Sequence, residues 1–402
     1  MFADIPDENN SITDDGLFFL ADDTKNLNST FFRKENEKAR IFTVDVMRGI
    51  GVIFMILGQS QFFFPKEEIF EIFKFSEWDN LHVADFILPL FLFTMGACCY
   101  LSYLKNREEY KKYQLIAKIS KKYIILLFCG IFFNWLLTNK PFSIETIFKL
   151  KITSYFFRIG ICYFFISVIN IFGIIYIIVF LFIIFFIYIY FIHFFEVDYC
   201  GNNTLSPHCN FARVADNFIF TKYHMQYPTD PFGLFSSINS MYTTFSGYLI
   251  IYIIKKEQNY QNDKHNMIII CGFGITNLAL FFVFTFLFRI PINMTIYSSS
   301  FMLLCSGIFS LLFVGIYFIT EFKKTTNIKR LFIPFECFGL NSLVLYSFIE
   351  ITNGIMYQVN LAGIPLFKNN PKVRSLLYSF IIFIIEGSVA VLLYKKKLHF
   401  KI

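Results

Sequence analysis

The chain has 402 residues, of which 56% are hydrophobic and only 16% are charged, and its mean hydropathy is +0.55. Soluble domains are about 45–50% apolar and about 25% charged, so this composition excludes a soluble, a disordered and a collagen-like chain. The net charge of +7 is expected to come from basic residues in the loops on one side of the membrane. No basic-aromatic patch or zinc-ligand spacing points to a nucleic-acid partner. The class of protein that fits this composition is a helical membrane protein with several spans.

The hydrophobic runs that follow Arg40 predict an all-α membrane protein with about ten transmembrane helices in one bundle. Residues 1–40 are polar and acidic, so we interpret them as a flexible cytosolic tail. We interpret residues 41–395 as the transmembrane domain and residues 396–402 as a short basic cytosolic tail. The predicted spans are 41–60, 82–104, 121–138, 152–170, 173–195, 231–254, 267–289, 297–320, 332–352 and 374–395.

The orientation of these spans follows from the loop charges. Lys and Arg favour the side that holds both termini by roughly two to one, which predicts that both termini are cytosolic. The fourth and fifth spans form one apolar run, and its interruption at Asn170 to Gly173 predicts a tight hairpin.

The predicted luminal loop 196–230 carries two cysteines and a glycosylation sequon. Cys200 and Cys209 are candidates for a disulfide, which would require an oxidising compartment. Asn202 and Asn293 are the candidate glycosylation sites on this side.

Ionisable groups at membrane depth are costly, and each is therefore a functional candidate. His82 and Asp85 are three residues apart at the luminal start of the second span, where a carboxylate could orient an imidazole and raise its basicity. Pro89 removes the usual hydrogen-bond partner of the Asp85 carbonyl. Asp45 and Arg48 share one helix face at the cytosolic start of the first span. In both pairs, an interfacial position near a helix end is the alternative to a functional role.

The predicted topology gathers several polar side chains in the luminal half of the membrane. These are Gln59, His82, Asp85, Arg158, Asn239 and Glu350. Asn341 is expected nearer the midplane. Arg158 has no acid close to it in sequence, so Asp85 or Glu350 is its predicted partner. No nucleotide-binding, hydrolase or metal-ligand motif accompanies this group, and we expect no metal.

Six segments in order resemble motifs of the heparan-α-glucosaminide N-acetyltransferase family. The first is RIFTVDVMRG at 40–49, similar to R-x-x-S/T-x-D-x-x-R-G, and the second is the Trp-, Asp-, Pro- and Phe-bearing stretch at 78–96. The others lie at 158–163, 227–238, 291–293 and 339–346.

The resemblance implies a multi-span enzyme that moves an acetyl group from acetyl-CoA to a terminal amino sugar on the luminal side of a lysosome-like membrane. On this interpretation His82 and Asp85 are the catalytic candidates. The candidates for binding acetyl-CoA are Asp45, Arg48, Gln59, Arg158, Asn239, Asn341 and Glu350. Lys121 and Lys122 are further candidates for contacting its phosphates.

The chain departs from the family pattern at several positions that carry catalytic or binding residues in the family. The position of the family's catalytic histidine, three residues before the motif tryptophan, is Phe75 here. Gln59 stands where the family has Asn, Phe157 where it has Gln, and Ile349 where it has His, although Glu350 is kept. His82 could reach the same cavity, or Asp85 or Glu350 could act as the base.

Two other functions stay open at this stage. Buried charges could also mark the path of a solute or proton-coupled transporter, and the loss of the usual histidine is compatible with a non-catalytic member. The expected partners are the lipid bilayer, acetyl-CoA and an amine-bearing small molecule or saccharide. The sequence is also compatible with a homodimer. A lysosome- or vacuole-like membrane is the expected location, and the plasma membrane or endoplasmic reticulum is the alternative.

Overall fold

The computed structural model describes residues 40–61, 64–137, 149–195, 197, 200, 205–226, 228–256, 260–323, 326–358 and 370–398. Residues 1–39 and 399–402, and with them most of the two predicted tails, lie outside the described residues.

The described chain is all-helical and contains no strand. Its thirteen α-helices are α1 Phe42–Gln59, α2 Ile87–Asn106, α3 Lys112–Leu137, α4 Tyr155–Asn170, α5 Ile174–Phe194, α6 Phe211–Phe220, α7 Leu234–Lys256, α8 Tyr260–Phe282, α9 Ser299–Tyr317, α10 Thr326–Leu331, α11 Ile333–Leu340, α12 Ser342–Gln358 and α13 Pro371–Lys395. A 3₁₀ turn, Val83–Phe86, precedes α2, and π turns, Val283–Leu287 and Phe318–Phe322, extend α8 and α9.

Each predicted hydrophobic run coincides with helix, and the ninth is divided at Asn341 into α11 and α12. Within the described residues, six helical stretches are long and apolar enough to cross a membrane. They are Phe42–Gln59, Val83–Asn106, Ile174–Phe194, Asp263–Leu287, Ser299–Phe322 and Pro371–Lys395. The predicted count of ten spans is therefore not confirmed. Among the remaining helices, α4 has only 16 residues and α7 buries many serines and threonines.

The hairpin between the fourth and fifth predicted spans is confirmed. Helix α4 ends at Asn170 and α5 begins at Ile174. Gly173 between them has a φ of 123°, a backbone conformation that side chains with a Cβ rarely adopt.

Two helix pairs approach each other backbone to backbone at glycines. A Cβ added to Gly96 on α2 would lie 1.7 Å from the Thr244 carbonyl oxygen on α7, and one added to Gly247 would lie 1.8 Å from that of Phe93. Gly49 on α1 and Gly339 on α11 make an equivalent close approach. Small residues drive this kind of packing between membrane helices, where apolar lipid supplies no hydrophobic force.

Burial separates central from peripheral helices. Of the apolar window in α9 and its π turn, 67% is buried, whereas the figure for α5 is 17%. The exposed surface of α5 consists of large apolar side chains such as Ile175, Phe182 and Phe186, which suits contact with lipid tails.

Candidate functional site

A half-buried polar group lies where α1 ends and α4 begins, against α12. The side chain of Gln59 lies near the hydroxyls of Tyr155 and Tyr346, whose ring centroids are 5.9 Å apart, and the carboxyl group of Glu350 interacts electrostatically with both tyrosines. These four residues are referred to below as the Glu350 cluster. Asp85 interacts electrostatically with Tyr155, so a second carboxylate borders the cluster. Of the six polar residues predicted in the luminal half, the structure thus brings Gln59, Asp85 and Glu350 near one another.

The two oxygens of Asp85 accept hydrogen bonds from the main chain. One accepts from the backbone N–H of Ser76 at 3.0 Å, and the other accepts from that of His82 at 2.7 Å. The carboxylate thus fixes residues 76–82 against α2, and it bonds to the main chain of His82 instead of its imidazole. A spacing of three residues would put both side chains on one face of a helix, but His82 has extended backbone because it precedes the 3₁₀ turn.

The imidazole of His82 faces a different acid. Its Nε2 lies 3.5 Å from Oε2 of Glu71, and its Nδ1 is buried with no hydrogen-bond partner. A hydrogen bond from Lys74, at 2.6 Å, lowers the pKa of Glu71. The side chain of His82 is 24% exposed, so it lies at the rim of the bundle.

The guanidinium of Arg158 is fully buried in α4. One of its Nη2 hydrogens is donated to Ser236 on α7, and its Cζ lies 5.4 Å from the ring centroid of Tyr297. Its Nε and Nη1 have no hydrogen-bond partner. Buried donors of this kind are costly, so the unused N–H groups on these two nitrogens point to a polar group that the described residues do not supply.

The carboxylates that act electrostatically on Arg158 are Asp230 and Asp216, not the predicted Asp85 or Glu350. Asp230 accepts backbone hydrogen bonds from Gln226 and Phe232, each at 2.8 Å, and a further one from the Thr153 hydroxyl. This residue therefore ties the start of α4 to the turn before α7.

Asp216 lies on α6, in the segment between α5 and α7. Burial is the main cause that raises its pKa to about 7, and the nearby charge of Asp230 adds to the effect. In the sequence, Asp230 belongs to the motif at 227–238 but was not a candidate site residue, and Asp216 belongs to no motif. The one signal for Asp216 was an acid inside a short amphipathic segment of the 196–230 loop.

Asn239 supports the backbone beside Arg158. Its Nδ2 donates to the carbonyl oxygen of Tyr297 at 2.9 Å. Tyr297 has a φ of 53°, an uncommon conformation for a residue with a Cβ, and its hydroxyl donates to Thr243 at 3.0 Å. Asn239 thus fixes the aromatic ring under the guanidinium.

The remaining candidates lie at the other end of the bundle. Arg48 pairs with Asp45 at 3.6 Å, donates to the Gly339 carbonyl at 3.2 Å and donates to Cys98 Sγ at 2.9 Å. Asn341 donates to the Leu398 carbonyl at 3.0 Å. Asp45 and Gln59 are both on α1, ~21 Å apart along its axis. The predicted acetyl-CoA residues therefore form two groups.

The structure also bears on the predicted modifications and metal content. Cys200 and Cys209 are joined in a disulfide, with Cα atoms 5.8 Å apart. Asn293 is fully buried, and its Oδ1 accepts from the Ile296 backbone, which leaves no room for a glycan in the folded chain. Asn202 lies outside the described residues. Among the described residues, no group of three or more His, Cys, Asp or Glu side chains could hold a metal ion.

Comparison with known proteins finds no matching family model. The chain is 24% identical over 422 aligned residues to heparan-alpha-glucosaminide N-acetyltransferase of Mus musculus, covering 90% of this chain and 60% of the mouse protein. It is 28% identical over 138 residues to the Homo sapiens protein of that name, covering 33% of this chain and 19% of the human protein. The chain thus spans less than two thirds of the curated relatives' length. Homology over nine tenths of the chain supports a family-level relationship with the heparan-alpha-glucosaminide N-acetyltransferases.

Proposed function

We propose that the protein is a membrane-embedded acetyltransferase that moves an acetyl group from acetyl-CoA to the amine of an amino-sugar-like acceptor. The observation that carries the proposal is the Glu350 cluster, with a buried arginine that has unused donors one helical turn after Tyr155, in a chain homologous to an acetyltransferase. The cluster supplies an acid–base group, and the arginine supplies donors for a developing negative charge.

The proposed reaction is a direct transfer. The acceptor nitrogen attacks the thioester carbonyl, and an N–C bond forms as the C–S bond breaks. The amine proton passes to the carboxylate of Glu350, and CoA leaves as a thiolate that takes up that proton. Glu350 is favoured over Asp85 as the base because both Asp85 oxygens already accept backbone hydrogen bonds.

In this scheme Arg158 binds the oxygen of the reacting carbonyl. Its Nε and Nη1 have hydrogens to donate, and burial strengthens their interaction with a developing oxyanion. Ser236 and Tyr297 hold the guanidinium in place, so little reorganisation is needed. Asp230 and Asn239 are positioning residues, since they act through the elements that carry Arg158.

The two groups of polar residues suit the length of acetyl-CoA. Asp45 and Arg48 lie ~21 Å and ~16 Å along α1 from Gln59 of the Glu350 cluster, distances that an extended pantetheine arm and nucleotide can bridge. We propose that Arg48 contacts a phosphate at the cytosolic end, while the thioester reaches the luminal end. Both termini are then cytosolic, and transfer occurs at the luminal side of a lysosome- or vacuole-like membrane.

The proposal is tested by acetyl transfer from radiolabelled acetyl-CoA to glucosamine with the purified full-length protein. We expect Glu350→Gln to lower kcat by about 10²- to 10⁴-fold, the usual contribution of a positioned acid–base group. Glu77→Gln, which changes an exposed acid that pairs with Lys66, is the matched control.

Two results would count against the proposal. Full activity of Glu350→Gln together with an inactive His82→Ala variant would move the base to His82. Proton-coupled solute uptake into proteoliposomes, with no acetyl-CoA consumed by the wild type, would replace the enzyme with a transporter.

A further inference from the structure

A cleft with one polar side opens at the end of the bundle opposite the Glu350 cluster. It lies where α2 ends and α3 begins, against the end of α4, and has a cavity volume of about 30 Å³. Ser102, Asn106, Lys118, Lys122 and Ser167 line its polar side. Asn106 is ~30 Å along α2 from Asp85, so the cleft is remote from the Glu350 cluster, and it lies beside the proposed phosphate contact, because Cys99 in its wall follows Cys98, which accepts from Arg48.

The polar wall is suited to an anion. Lys118 Nζ donates to Asn106 Oδ1 at 2.6 Å and lies 4.3 Å from the Tyr110 ring centroid. These contacts fix the ammonium at the cleft, and an ammonium has two further hydrogens to donate. Lys122 adds a second cation one helical turn further on, and Ser102 adds a hydroxyl.

The surrounding sequence extends the positive charge. Residues 105–122 contain seven Lys or Arg and only two Glu. Clusters of this size beside a transmembrane helix are typical of segments that bind anionic lipid at the cytosolic leaflet.

The other wall favours a lipid over a water-soluble anion. Leu115, Ile119 and Ile171 line the cleft together with the lysines. The cleft therefore presents cations and an apolar surface side by side at the level where membrane helices end, as phospholipid headgroups and their glycerol backbones require.

We propose that this cleft binds the phosphate of an anionic phospholipid headgroup, with Lys118 and Lys122 as its cationic ligands. Binding there joins α2, α3 and α4 at their cytosolic ends, and it does not depend on acetyl transfer.

The test is the thermal stability of purified full-length protein in detergent micelles that contain either phosphatidylserine or phosphatidylcholine. We expect phosphatidylserine to raise Tm in a saturable way. In Lys118→Gln/Lys122→Gln the apparent affinity should fall by roughly thirtyfold, the effect of two lysines near an anionic surface. Arg107→Gln/Lys111→Gln removes the same charge from exposed positions in the same loop and should retain the affinity.

A second variant covers the case in which the double substitution fails to fold. Ser102→Trp fills the cleft but keeps both lysines, and it should abolish the Tm rise. Inorganic phosphate and free CoA serve as soluble probes of the same chemistry. A Tm rise with either probe that requires Lys118 and Lys122, or equal loss of the lipid effect in the control variant, would overturn the lipid assignment.

Discussion

The carboxylate of Asp216 on α6 accepts a hydrogen bond from the backbone N–H of Phe235 on α7 at 3.1 Å, while its other oxygen is buried with no partner. The bond attaches a helix of the 196–230 segment to the first turn of α7. A negative charge at a helix N-terminus is favourable, but full burial costs more, which is why the pKa of Asp216 is raised to about 7.

The first prediction is that the protein is more stable in acid because of Asp216. A carboxyl with a pKa of about 7 in the folded state and about 3.9 in the unfolded state binds more protons when folded across that interval. The free energy of unfolding therefore decreases as pH rises from about 4 to about 7. We expect a higher Tm at pH 5 than at pH 8, and the difference should shrink in Asp216→Asn.

Other acids titrate as well, so the relevant quantity is the difference between the wild type and Asp216→Asn at each pH. Asp79→Asn, a substitution of an exposed acid, should leave the pH profile unchanged. If Asp216→Asn has the same pH profile as the wild type, the carboxylate is charged throughout and the argument fails.

The second prediction concerns the contact between α2 and α7. Gly96→Ala places a Cβ 1.7 Å from the Thr244 carbonyl oxygen, so the two helices must separate. Overpacking of this kind costs about 1–3 kcal/mol. Gly272→Ala is the matched control, because no atom lies within 4 Å of its added Cβ and alanine favours helix. A Tm loss in both variants, measured in one detergent, would mean that the contact with α7 is not responsible.

Sequence patterns predicted the helices well and the polar contacts only in part. The apolar run ending at Asn170 and the glycine at 173 located the hairpin, since both signals are local. The partners of Arg158 were not predictable in this way. Asp216 and Asp230 come from a segment that lies far from α4 in sequence, and no periodicity shows where such a segment folds back.

The third prediction separates a catalytic from a structural role for Arg158. Arg158→Met removes a buried cation whose Nε and Nη1 have no partner but leaves Asp216 and Asp230 without its charge, so we expect only a modest loss of Tm. The rate of acetyl transfer should fall by about 10²- to 10³-fold, the usual effect of losing an oxyanion donor. Arg158→Lys keeps the positive charge but lacks the planar set of N–H donors of a guanidinium. We therefore expect this variant to recover only part of the acetyl-transfer rate. A large loss of Tm in Arg158→Met would show that the guanidinium stabilises the bundle instead.

The last prediction tests orientation through the Cys200–Cys209 disulfide. A disulfide persists in an oxidising compartment, and the proposed topology places this loop in the lumen. Cys200→Ser frees the thiol of Cys209, which is half-buried, for reaction with a membrane-impermeant maleimide. In sealed organelle vesicles with their cytosolic face outward, we expect this labelling only after permeabilisation. Cys200→Ser/Cys209→Ser measures the background from the cysteines in the helices. Labelling of Cys209 in intact vesicles would place the loop in the cytosol and reverse the proposed topology.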